Sequence, residues 1–302
     1  MVTSPVDGAE VHWRNVLQHP EYKNIIWDLP PVKKEKIPVA RGRGGPFEIS
    51  YEIHGHGDTK LVWIMGLGTF KTAWQRQTKH FCHEEPRASE YTSLIYDNRG
   101  MGESDKPGIR YTTSEMAKDT LELLEHVGWT GKRQLHVIGG FWEHLRSRIN
   151  LFIPRHIDIM VANLKVRLYA NDWLEAPDQD GNFPTNGDRV AALEIHKRSD
   201  KDGFTRKGFL LQAIAANWHY KSPAHLKELG DEIGRDRIMV VHGTKDNMIT
   251  FPHGEILAKE LGEGVEFKVF EGRGHALCIE ERDEFNRLLE NFVHKTKRLG
   301  RT

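Results

Sequence analysis

The sequence has few cysteines, no net charge and no long hydrophobic run, and each of these absences counts against one class of protein. Its 302 residues include two cysteines, Cys82 and Cys278, which lie far apart and lack the spacing of a metal site. That usage indicates a reducing compartment rather than a disulfide framework. Basic and acidic residues number 43 each, so no net field favours nucleic acid or an anionic membrane. No apolar run approaches the ~20 residues of a membrane-spanning helix.

Targeting signals are also missing from the sequence. The stretch MVTSPVDGAEVHW has neither the apolar centre of a signal peptide nor the pattern of an arginine-rich presequence. With 38% hydrophobic and 28% charged residues, the composition is typical of a globular enzyme or binding protein. We expect a cytoplasmic protein without membrane insertion and without a nucleic-acid partner. The sequence does not indicate an oligomeric state.

Most of the chain alternates between strand-like and helix-like segments. Residues 1–43, with scattered prolines and the basic cluster KKEK, predict a loosely packed N-terminal extension. The runs PFEISYEIHG, KLVWIM and SLIYD then predict strands, and SLIYD is apolar enough to be buried. The segment TTSEMAKDTLELLEHVG predicts a helix, since Thr112 and Glu115 have capping-box spacing and Gly128 is placed to end it. The run QLHVI returns as a strand.

A helical insert interrupts this alternation. Residues 141–234 are rich in charge and tryptophan and predict helices near 187–199 and 206–219, without a convincing strand. The alternation resumes with RIMVVHG as a strand, PHGEILAKELG as a helix, EFKVF as a strand and a closing helix. Strand–helix–strand units at this spacing favour parallel pairing with crossovers. We therefore expect one α/β domain formed by residues 44–140 and 235–302, with the helical insert between its halves.

Two glycine-containing turns follow strands in the first half of the chain. In IMGLGTFKTAW, glycines let backbone amides approach a phosphate or a developing oxyanion. A dinucleotide fingerprint needs a third glycine where Lys71 stands, so an oxyanion loop at Gly66, Leu67 and Gly68 fits better. Taken alone, a tight strand-to-helix turn explains the loop equally well. The second turn, YDNRGMGESDKP, contains nothing obviously catalytic and predicts a structural turn.

An acid and a histidine follow two consecutive strands in the second half. Asp246 comes just after RIMVVHG, and His275 lies in EGRGHAL after the next strand. Functional groups gather beyond the carboxyl ends of parallel strands, where a carboxylate can orient a histidine. Either residue alone is weak support, whereas the pair in this order is a specific signal. The histidines of EIHGHGD have no third ligand nearby in sequence, so we predict no metal.

Together these motifs resemble the α/β-hydrolase family, in the subgroup that carries a helical lid after the sixth strand. The resemblance covers residues about 45–298 and rests on MGLGTF, YDNRGMGESD, GTKDNMI and GRGHAL in the right order. It implies a mostly parallel sheet flanked by helices and a lid in the helical insert. It also implies that His275 is the general base, Asp246 its charge partner and Leu67 an oxyanion donor. No cofactor is implied, and the substrate is a small apolar ester or related acyl compound.

The sequence departs from this family at the nucleophile. The family pattern G-x-S-x-G follows the fifth strand, and Gly139 aligns with its first glycine. Phe141 then occupies the nucleophile position and Glu143 that of the second glycine. About 25–35 residues, containing the elbow helix and the sixth strand, are missing by typical element lengths. Without that strand, QLHVI is expected either to form an open edge or to pair directly with RIMVVHG.

Three functions compete at this point. The chain is a hydrolase relative that is inactive as written, either a shortened isoform or an incorrect gene model. Alternatively it is a non-catalytic protein that binds a small apolar ligand or a protein partner. A nucleotide-binding role for GLGTF is the weakest, since a basic phosphate site is missing. Glu143 and Ser147 lie beyond the strained turn and do not replace the nucleophile. The retained Asp246 and His275 favour recent loss of the elbow, or an error in the gene model, over a long-standing binding role.

Overall fold

The computed structural model describes residues 13–139 and 156–300, in which the chain forms seven strands and twelve α-helices. The strands are β1 Lys33–Val39, β2 Phe47–Gly55, β3 Thr59–Trp63, β4 Tyr91–Tyr96, β5 Leu135–Ile138, β6 Met239–Gly243 and β7 Glu266–Phe270. The helices are α1 Trp13–Gln18, α2 Gln75–Cys82, α3 Arg87–Glu90, α4 Thr113–His126, α5 Ile157–Leu168, α6 Asn171–Glu175, α7 Asn186–Ser199, α8 Arg206–Asn217, α9 Pro223–Ile233, α10 Pro252–Leu261, α11 Leu277–Glu280 and α12 Arg282–Arg298. Within the described ranges, no helix is both long enough and apolar enough to cross a bilayer.

The strands form a mixed five-stranded sheet and a separate parallel pair. The larger sheet has the order β1-β2-β4-β3-β5. Its β1, β2 and β4 pair antiparallel, whereas β4, β3 and β5 pair parallel. Strands β6 and β7 pair in parallel with each other. The predicted α/β class is confirmed, and β4 is buried at every position, as the apolar run SLIYD predicted.

Helix α4 begins where the sequence predicted, although its cap differs in one respect. The Thr112 hydroxyl accepts a hydrogen bond from the Glu115 amide at 3.1 Å. The reciprocal bond of a capping box is absent from α4, because the Glu115 carboxylate instead pairs with Arg43 and with Lys118. Arg43 and Lys118 thus take the place of the Thr112 backbone amide as partners of the Glu115 carboxylate. Charge-assisted hydrogen bonds of this kind are stronger than a bond to a neutral amide.

Strand β1 was missed by the sequence analysis, because it lies inside the segment interpreted as a loose extension. It pairs antiparallel with β2 along its whole length, and within it Ile37 and Val39 are buried. The strand is rich in exposed lysine and contains Pro38, features that are tolerated at a sheet edge and that conceal the alternation of a strand. The preceding residues also dock on the domain, since the Trp27 amide donates to Gln75 Oε1 at 2.9 Å.

Helices α5–α9 make up the described part of the insert. Helices α7 and α8 confirm the two helices predicted there. Thr185 and Asp188 form a reciprocal capping box at the start of α7, which explains why this helix begins sharply after a polar loop. Residues 156–234 form no strand, although they take part in two isolated β-bridges. Residues 141–155 of the insert lie outside the described residues.

The sheet is interrupted between β5 and β6. Strand β5 is hydrogen-bonded to β3, and β6 to β7, but within residues 13–139 and 156–300 the two do not pair with each other. Direct pairing of QLHVI with RIMVVHG, one of the two expected outcomes, is therefore wrong for the described chain. Val137 in the middle of β5 is 57% exposed. The deletion of a sixth strand stays a prediction, since residues 140–155 lie outside the described ranges.

Packing between α2 and α12 joins the two sheets. One apolar cluster includes Leu61 and Trp63 of β3, Phe81 of α2, Phe270 of β7 and Leu289 of α12. Within this contact the Gln77 side chain donates from Nε2 to the Cys278 carbonyl at 2.8 Å. The two sheets therefore share one core although no strand ladder between the described residues connects them.

Candidate active site

The turns after β3, β5, β6 and β7 open onto one cavity. Its volume is about 1460 Å³, and its lining includes Gly66, Leu67, Gly68, Gly139, Asp246 and His275. These residues follow the carboxyl ends of parallel strands, which meet at one edge of the sheet. The structure thus brings together the loop, the acid and the histidine that the sequence singled out.

His275 and Asp246 form a direct hydrogen bond. The distance from His275 Nδ1 to Asp246 Oδ2 is 2.8 Å. The second oxygen of Asp246, Oδ1, accepts the amides of Met248 and Ile249 at 2.7 and 2.8 Å. The carboxylate is 6% exposed, so these bonds act in a low-dielectric environment where each is stronger than in water.

Asp246 is held in its charged form. Burial alone raises the pKa of a carboxyl group, but hydrogen bonds from His242, His275 and the Ile249 amide outweigh it and hold the pKa of Asp246 far below its usual range. A stable negative charge beside His275 suits a carboxylate that orients and stabilises an imidazolium.

His242 is a second histidine on the same carboxylate, and the sequence analysis did not identify it. Its Nε2 lies 2.8 Å from the Ile249 carbonyl and 3.3 Å from Asp246 Oδ2. Burial lowers the pKa of His242, but the bonds to Asp246 and to the Ile249 carbonyl dominate and raise it. The only sequence signal is a polar residue inside the apolar run RIMVVHG, which also fits an ordinary strand end.

Replacing Asp246 with asparagine is expected to lower the unfolding free energy by on the order of 2 kcal/mol at pH 7. Because its folded pKa is depressed, the stabilisation by the charged carboxylate is full above the unfolded pKa near 3.9. It is lost as the pH falls through the folded value, so the difference between wild type and variant should shrink below about pH 4. The raised pKa of His242 acts oppositely, stabilising below about pH 6.5.

Denaturant unfolding of both proteins at a series of pH values between 8 and 3 measures this difference. Asparagine keeps the shape of the side chain, so it removes the charge without leaving a cavity. A difference that does not change between neutral and acid pH would mean that the charge of Asp246 contributes nothing to stability.

The loop that carries His275 is fixed by the insert. The amides of His275 and Ala276 both donate to the Leu168 carbonyl, at 2.8 and 3.1 Å. Glu280, which is fully buried, accepts the Gly274 amide at 2.9 Å and the Ala170 amide at 3.2 Å. Burial raises the pKa of Glu280. The C-terminal end of α5 therefore positions the histidine through backbone bonds.

The glycine loop after β3 is also held from outside. Gly68 has a φ of +66°, and its amide donates to Gln212 Oε1 of α8 at 3.0 Å. The Asn98 side chain donates from Nδ2 to the Met65 carbonyl at 3.0 Å, and the Thr69 hydroxyl donates to the Gly66 carbonyl at 2.8 Å. The Gly68 amide is thus already engaged, and the role of Leu67 as an oxyanion donor stays a prediction.

The turn YDNRGMGESDKP supports this loop, in agreement with its interpretation as structural. Asp97 is 1% exposed and accepts the Lys71 amide and ammonium at 2.7 and 2.9 Å. It also accepts the Glu103 amide at 3.0 Å. Next to it, Arg99 and Asp119 form a buried bidentate pair with both distances at 2.6 Å. Lys71, which replaces a dinucleotide-type glycine, is therefore part of the scaffold.

Metal ligands do not gather at EIHGHGD. His54 Nδ1 lies 3.0 Å from His83 Nε2, and His54 Nε2 lies 3.2 Å from Glu52 Oε2. Across the two described ranges, no group of three or more histidine, cysteine or carboxylate side chains is arranged to hold a metal ion.

Substitute nucleophiles are few around the cavity. Among its described lining residues there is no serine, and its thiol and hydroxyl groups belong to Thr59, Thr69, Thr72, Tyr169, Tyr220, Cys278 and Thr296. Cys278 is close to His275 in sequence, but burial raises the pKa of its thiol to about 12, so it stays protonated and unreactive near neutral pH. The positions predicted to replace the elbow, Phe141 and Glu143, and the rejected Ser147 lie outside the described residues.

Sequence comparison finds a relative over a short stretch of the chain. No family model matches the chain. A putative carbamate hydrolase RutD of Azorhizobium caulinodans is 31% identical over 98 residues, which is 32% of this chain and 34% of that protein. The match therefore spans about a third of this relative.

Solved structures are similar over most of the chain. An enol-lactonase from Burkholderia xenovorans aligns at a TM-score of 0.64 and 16% identity, covering 86% of this chain and all of that one. A thermophilic esterase from Thermogutta terrifontis aligns at 0.63 and 17%, covering 87% and 99%. A bromoperoxidase from Bacillus anthracis aligns at 0.61 and 18%, covering 87% and 100%. The chain has the α/β-hydrolase fold.

Proposed function

From the α/β-hydrolase fold and the contact between Asp246 and His275, we propose that this chain descends from an acyl hydrolase and has no hydrolytic activity as it stands. The observation that carries the proposal is the acid–base pair at 2.8 Å. It faces a cavity whose described lining residues include no serine. The ancestral substrate class is a small ester or related acyl compound. A cytoplasmic location is part of the same proposal.

His275 and Asp246 are arranged as a general base with its supporting carboxylate. The nucleophile from which such a base would remove a proton is the group that the proposal takes to be lost. The bond from His275 Nδ1–H to Asp246 fixes the ring tautomer and leaves Nε2 as the basic atom. A neighbouring carboxylate then stabilises the imidazolium formed when Nε2 takes a proton from a nucleophile. Without that hydroxyl or thiol, the first step of acyl transfer does not begin. In another Ser–His–Asp enzyme, removing the serine alone lowers kcat about 10⁶-fold.

The interruption between β5 and β6 supports a loss of one block of sequence. In the family pattern, the elbow helix and the sixth strand stand between these two strands. The described chain pairs β5 with β3 and β6 with β7 on either side of that position. A shortened isoform or an incorrect gene model would remove such a block and leave both flanks unchanged. Sequencing the transcript across the codons for Gly139 to Phe141 tests this, since an in-frame elbow segment there would identify the complete enzyme.

Wild-type protein and the His275→Ala variant are expected to hydrolyse p-nitrophenyl acetate and butyrate at the same rate, close to that of buffer. The physical reason is that the nucleophile which His275 would deprotonate is missing from the elbow position of the sequence. Release of p-nitrophenolate from both purified proteins measures the two rates. A wild-type rate well above that of the variant would overturn the proposal, because it would reveal a nucleophile that depends on His275.

A non-catalytic binding role is the second candidate. The cavity of about 1460 Å³ exceeds the usual range of roughly 300–1,000 Å³ for small-molecule sites. We place the helical insert over it as a lid, because Gln212 of α8 holds the glycine loop and Leu168 of α5 holds the histidine loop. Occupants of this cavity are a small apolar ligand or a segment of a protein partner.

A further inference from the structure

We propose that α8 and the loop before α4 form a surface that binds an anionic lipid bilayer. The surface consists of Arg110, Lys207, Leu210, Ile214 and Trp218, and we call it the α8 surface. The inference goes beyond the proposed function, because it assigns a partner to the outside of the insert. It is independent of whether the chain hydrolyses esters.

The outward face of α8 is apolar. Lys207, Leu210, Ile214 and Trp218 recur at helical spacing from the first turn of α8 to the residue that ends it. Leu210 is 41% exposed and Trp218 is 65% exposed, while Ile214 is half-buried. The solvent face of a helix in a globular protein is normally polar. This face instead keeps an apolar stripe in contact with water, which favours its burial against a partner.

Contacts on the opposite face fix the rotation of α8. The Gln212 side chain accepts the Gly68 amide at 3.0 Å through Oε1 and donates to the Arg99 carbonyl at 2.8 Å through Nε2. Gly208 lies against Gly100, since a Cβ atom at Gly208 would be 2.0 Å from the Gly100 carbonyl oxygen. The helix cannot turn its apolar stripe inward without breaking these contacts. The exposure of the stripe is therefore fixed by the fold.

Positive charge flanks the apolar stripe. The chain has equal numbers of acidic and basic residues, yet residues 203–227 contain no aspartate or glutamate. Arg206 and Lys207 lie at the amino end of α8 and Lys221 follows its carboxyl end, and all three are exposed. Within the described ranges, neither Arg206 nor Lys207 forms a salt bridge. These charges are therefore available to an anionic partner.

The loop before α4 completes the α8 surface. The guanidinium carbon of Arg110 lies 5.0 Å from the centre of the Trp218 ring. The Lys207 ammonium lies against Gly108, where a Cβ atom would be 2.7 Å from Nζ. Helix α4, which follows this loop, packs on β1, the strand at the opposite edge of the five-stranded sheet from β5. The loop and α8 thus meet on the side of the domain that carries α4.

An anionic bilayer matches both parts of the α8 surface. Helices that lie in a membrane interface carry apolar side chains and tryptophan on one face, with lysine and arginine around them. The indole of Trp218 suits the headgroup level, and an aliphatic side chain such as Leu210 gains by contact with acyl chains. A nucleic acid would engage the cations and the indole but would leave the aliphatic side chains in water. Lipid is therefore the partner that the surface fits better.

Flotation of the full chain with lipid vesicles tests the proposal. We expect vesicles of phosphatidylcholine and phosphatidylserine to bind at least about tenfold more tightly than phosphatidylcholine alone, since each basic residue near an anionic surface contributes about fivefold. Added salt should weaken this binding, because it screens exposed charges. Lipid with brominated acyl chains should quench a larger fraction of the fluorescence in wild type than in Trp218→Phe, because the indole of Trp218 reaches the interface.

Two pairs of substitutions separate the α8 surface from general adsorption. Leu210→Ser and Lys207→Glu should each lower the affinity for the mixed vesicles by about fivefold. Ile256→Ser and Lys259→Glu on α10 are the matched controls, because these residues are also exposed and have the same spacing on a helix. They should leave the affinity unchanged. All four side chains are exposed, so the variants should fold, and urea unfolding verifies this.

Three results would overturn the proposal. One is the absence of vesicle binding, or vesicle binding that responds to neither Leu210→Ser nor Lys207→Glu. Another is a single-stranded oligonucleotide that binds more tightly than vesicles and loses its affinity in Lys207→Glu. The third is a dimer in sedimentation equilibrium that dissociates in Leu210→Ser, which would identify a second copy of the chain as the partner. None of these results bears on ester hydrolysis.

Discussion

Replacing Asp97 with alanine is expected to cost about 3–5 kcal/mol of unfolding free energy, the largest effect of any single substitution considered for this chain. Asp97 is 1% exposed and Lys71 is 3% exposed, so both charges depend on protein partners rather than on water, and Lys71 pairs with Asp97 at 2.9 Å and with Glu103 at 2.6 Å. The same carboxylate also accepts the amides of Lys71 and Glu103. Its removal takes one of the two close carboxylates from the buried ammonium and leaves two amides without their acceptor, and each loss adds a cost.

Asp105→Ala is the matched control in the same turn. Asp105 is exposed, and its carboxylate accepts one amide, from Glu48, at 2.8 Å. Its loss should cost about 1 kcal/mol. Urea unfolding of both variants beside wild type measures the two costs, with the midpoint compared at a constant m-value. Equal losses in the two variants would mean that the buried pair does not hold the turn. Because total stabilities are only about 5–15 kcal/mol, the Asp97 variant should be populated as folded protein only at low temperature or low denaturant.

Alanine in place of Gly243 is expected to separate His275 from Asp246. A Cβ atom at Gly243 would lie 2.2 Å from the Gly274 carbonyl oxygen and 2.3 Å from that of Arg273. Real side chains do not approach backbone oxygens so closely, so the loop before His275 must move. Overpacking of this kind typically costs about 1–3 kcal/mol, and more where backbone is the obstacle. The hydrogen bond of 2.8 Å between the two side chains should then break.

The NMR resonance of the proton on His275 Nδ1 shows whether the hydrogen bond to Asp246 is intact. In wild type this proton should give a downfield resonance in the proton NMR spectrum, which disappears in the Asp246→Asn variant and is weakened or lost in Gly243→Ala. Gly272→Ala is the control in the same loop, since its Cβ meets no atom within 4 Å. Its cost is limited to about 1–2 kcal/mol for a left-handed residue, because Gly272 has a φ of +73°. An unchanged resonance in Gly243→Ala would show that the loop absorbs the clash without moving His275.

Local patterns predicted the regular elements well. The spacing of apolar residues identified α4 and α7, and the continuous apolar run identified the buried β4. Strand β1 escaped because its register is set by pairing with β2 rather than by its own sequence. Three of its seven residues are lysine, and such an edge strand has the composition of a solvated linker. Sequence propensity therefore did not predict β1, because its stabilisation comes from pairing with β2.

The site was predictable in its principal residues and not in its supports. Asp246 and His275 stand at strand ends in a recognisable order, so their contact follows from topology. Glu280 and Gln212 hold the loops from α11 and α8, over separations of 110 and 144 residues to their respective partners Ala170 and Gly68. No spacing rule connects residues so far apart. Such long-range contacts are visible only once the chain is folded.

Sequence reasoning took the survival of both Asp246 and His275 as a sign that an enzyme had been lost recently. The hydrogen bonds that Asp246 accepts from its own turn weaken that reasoning for the aspartate. Its carboxylate closes the turn after β6 through the amides of Met248 and Ile249, and it lies beside a histidine of the strand itself. Selection for a folded turn would preserve this aspartate for any length of time after catalysis had ceased. The presence of Asp246 therefore does not date the loss of catalysis, because folding of the turn alone would maintain it.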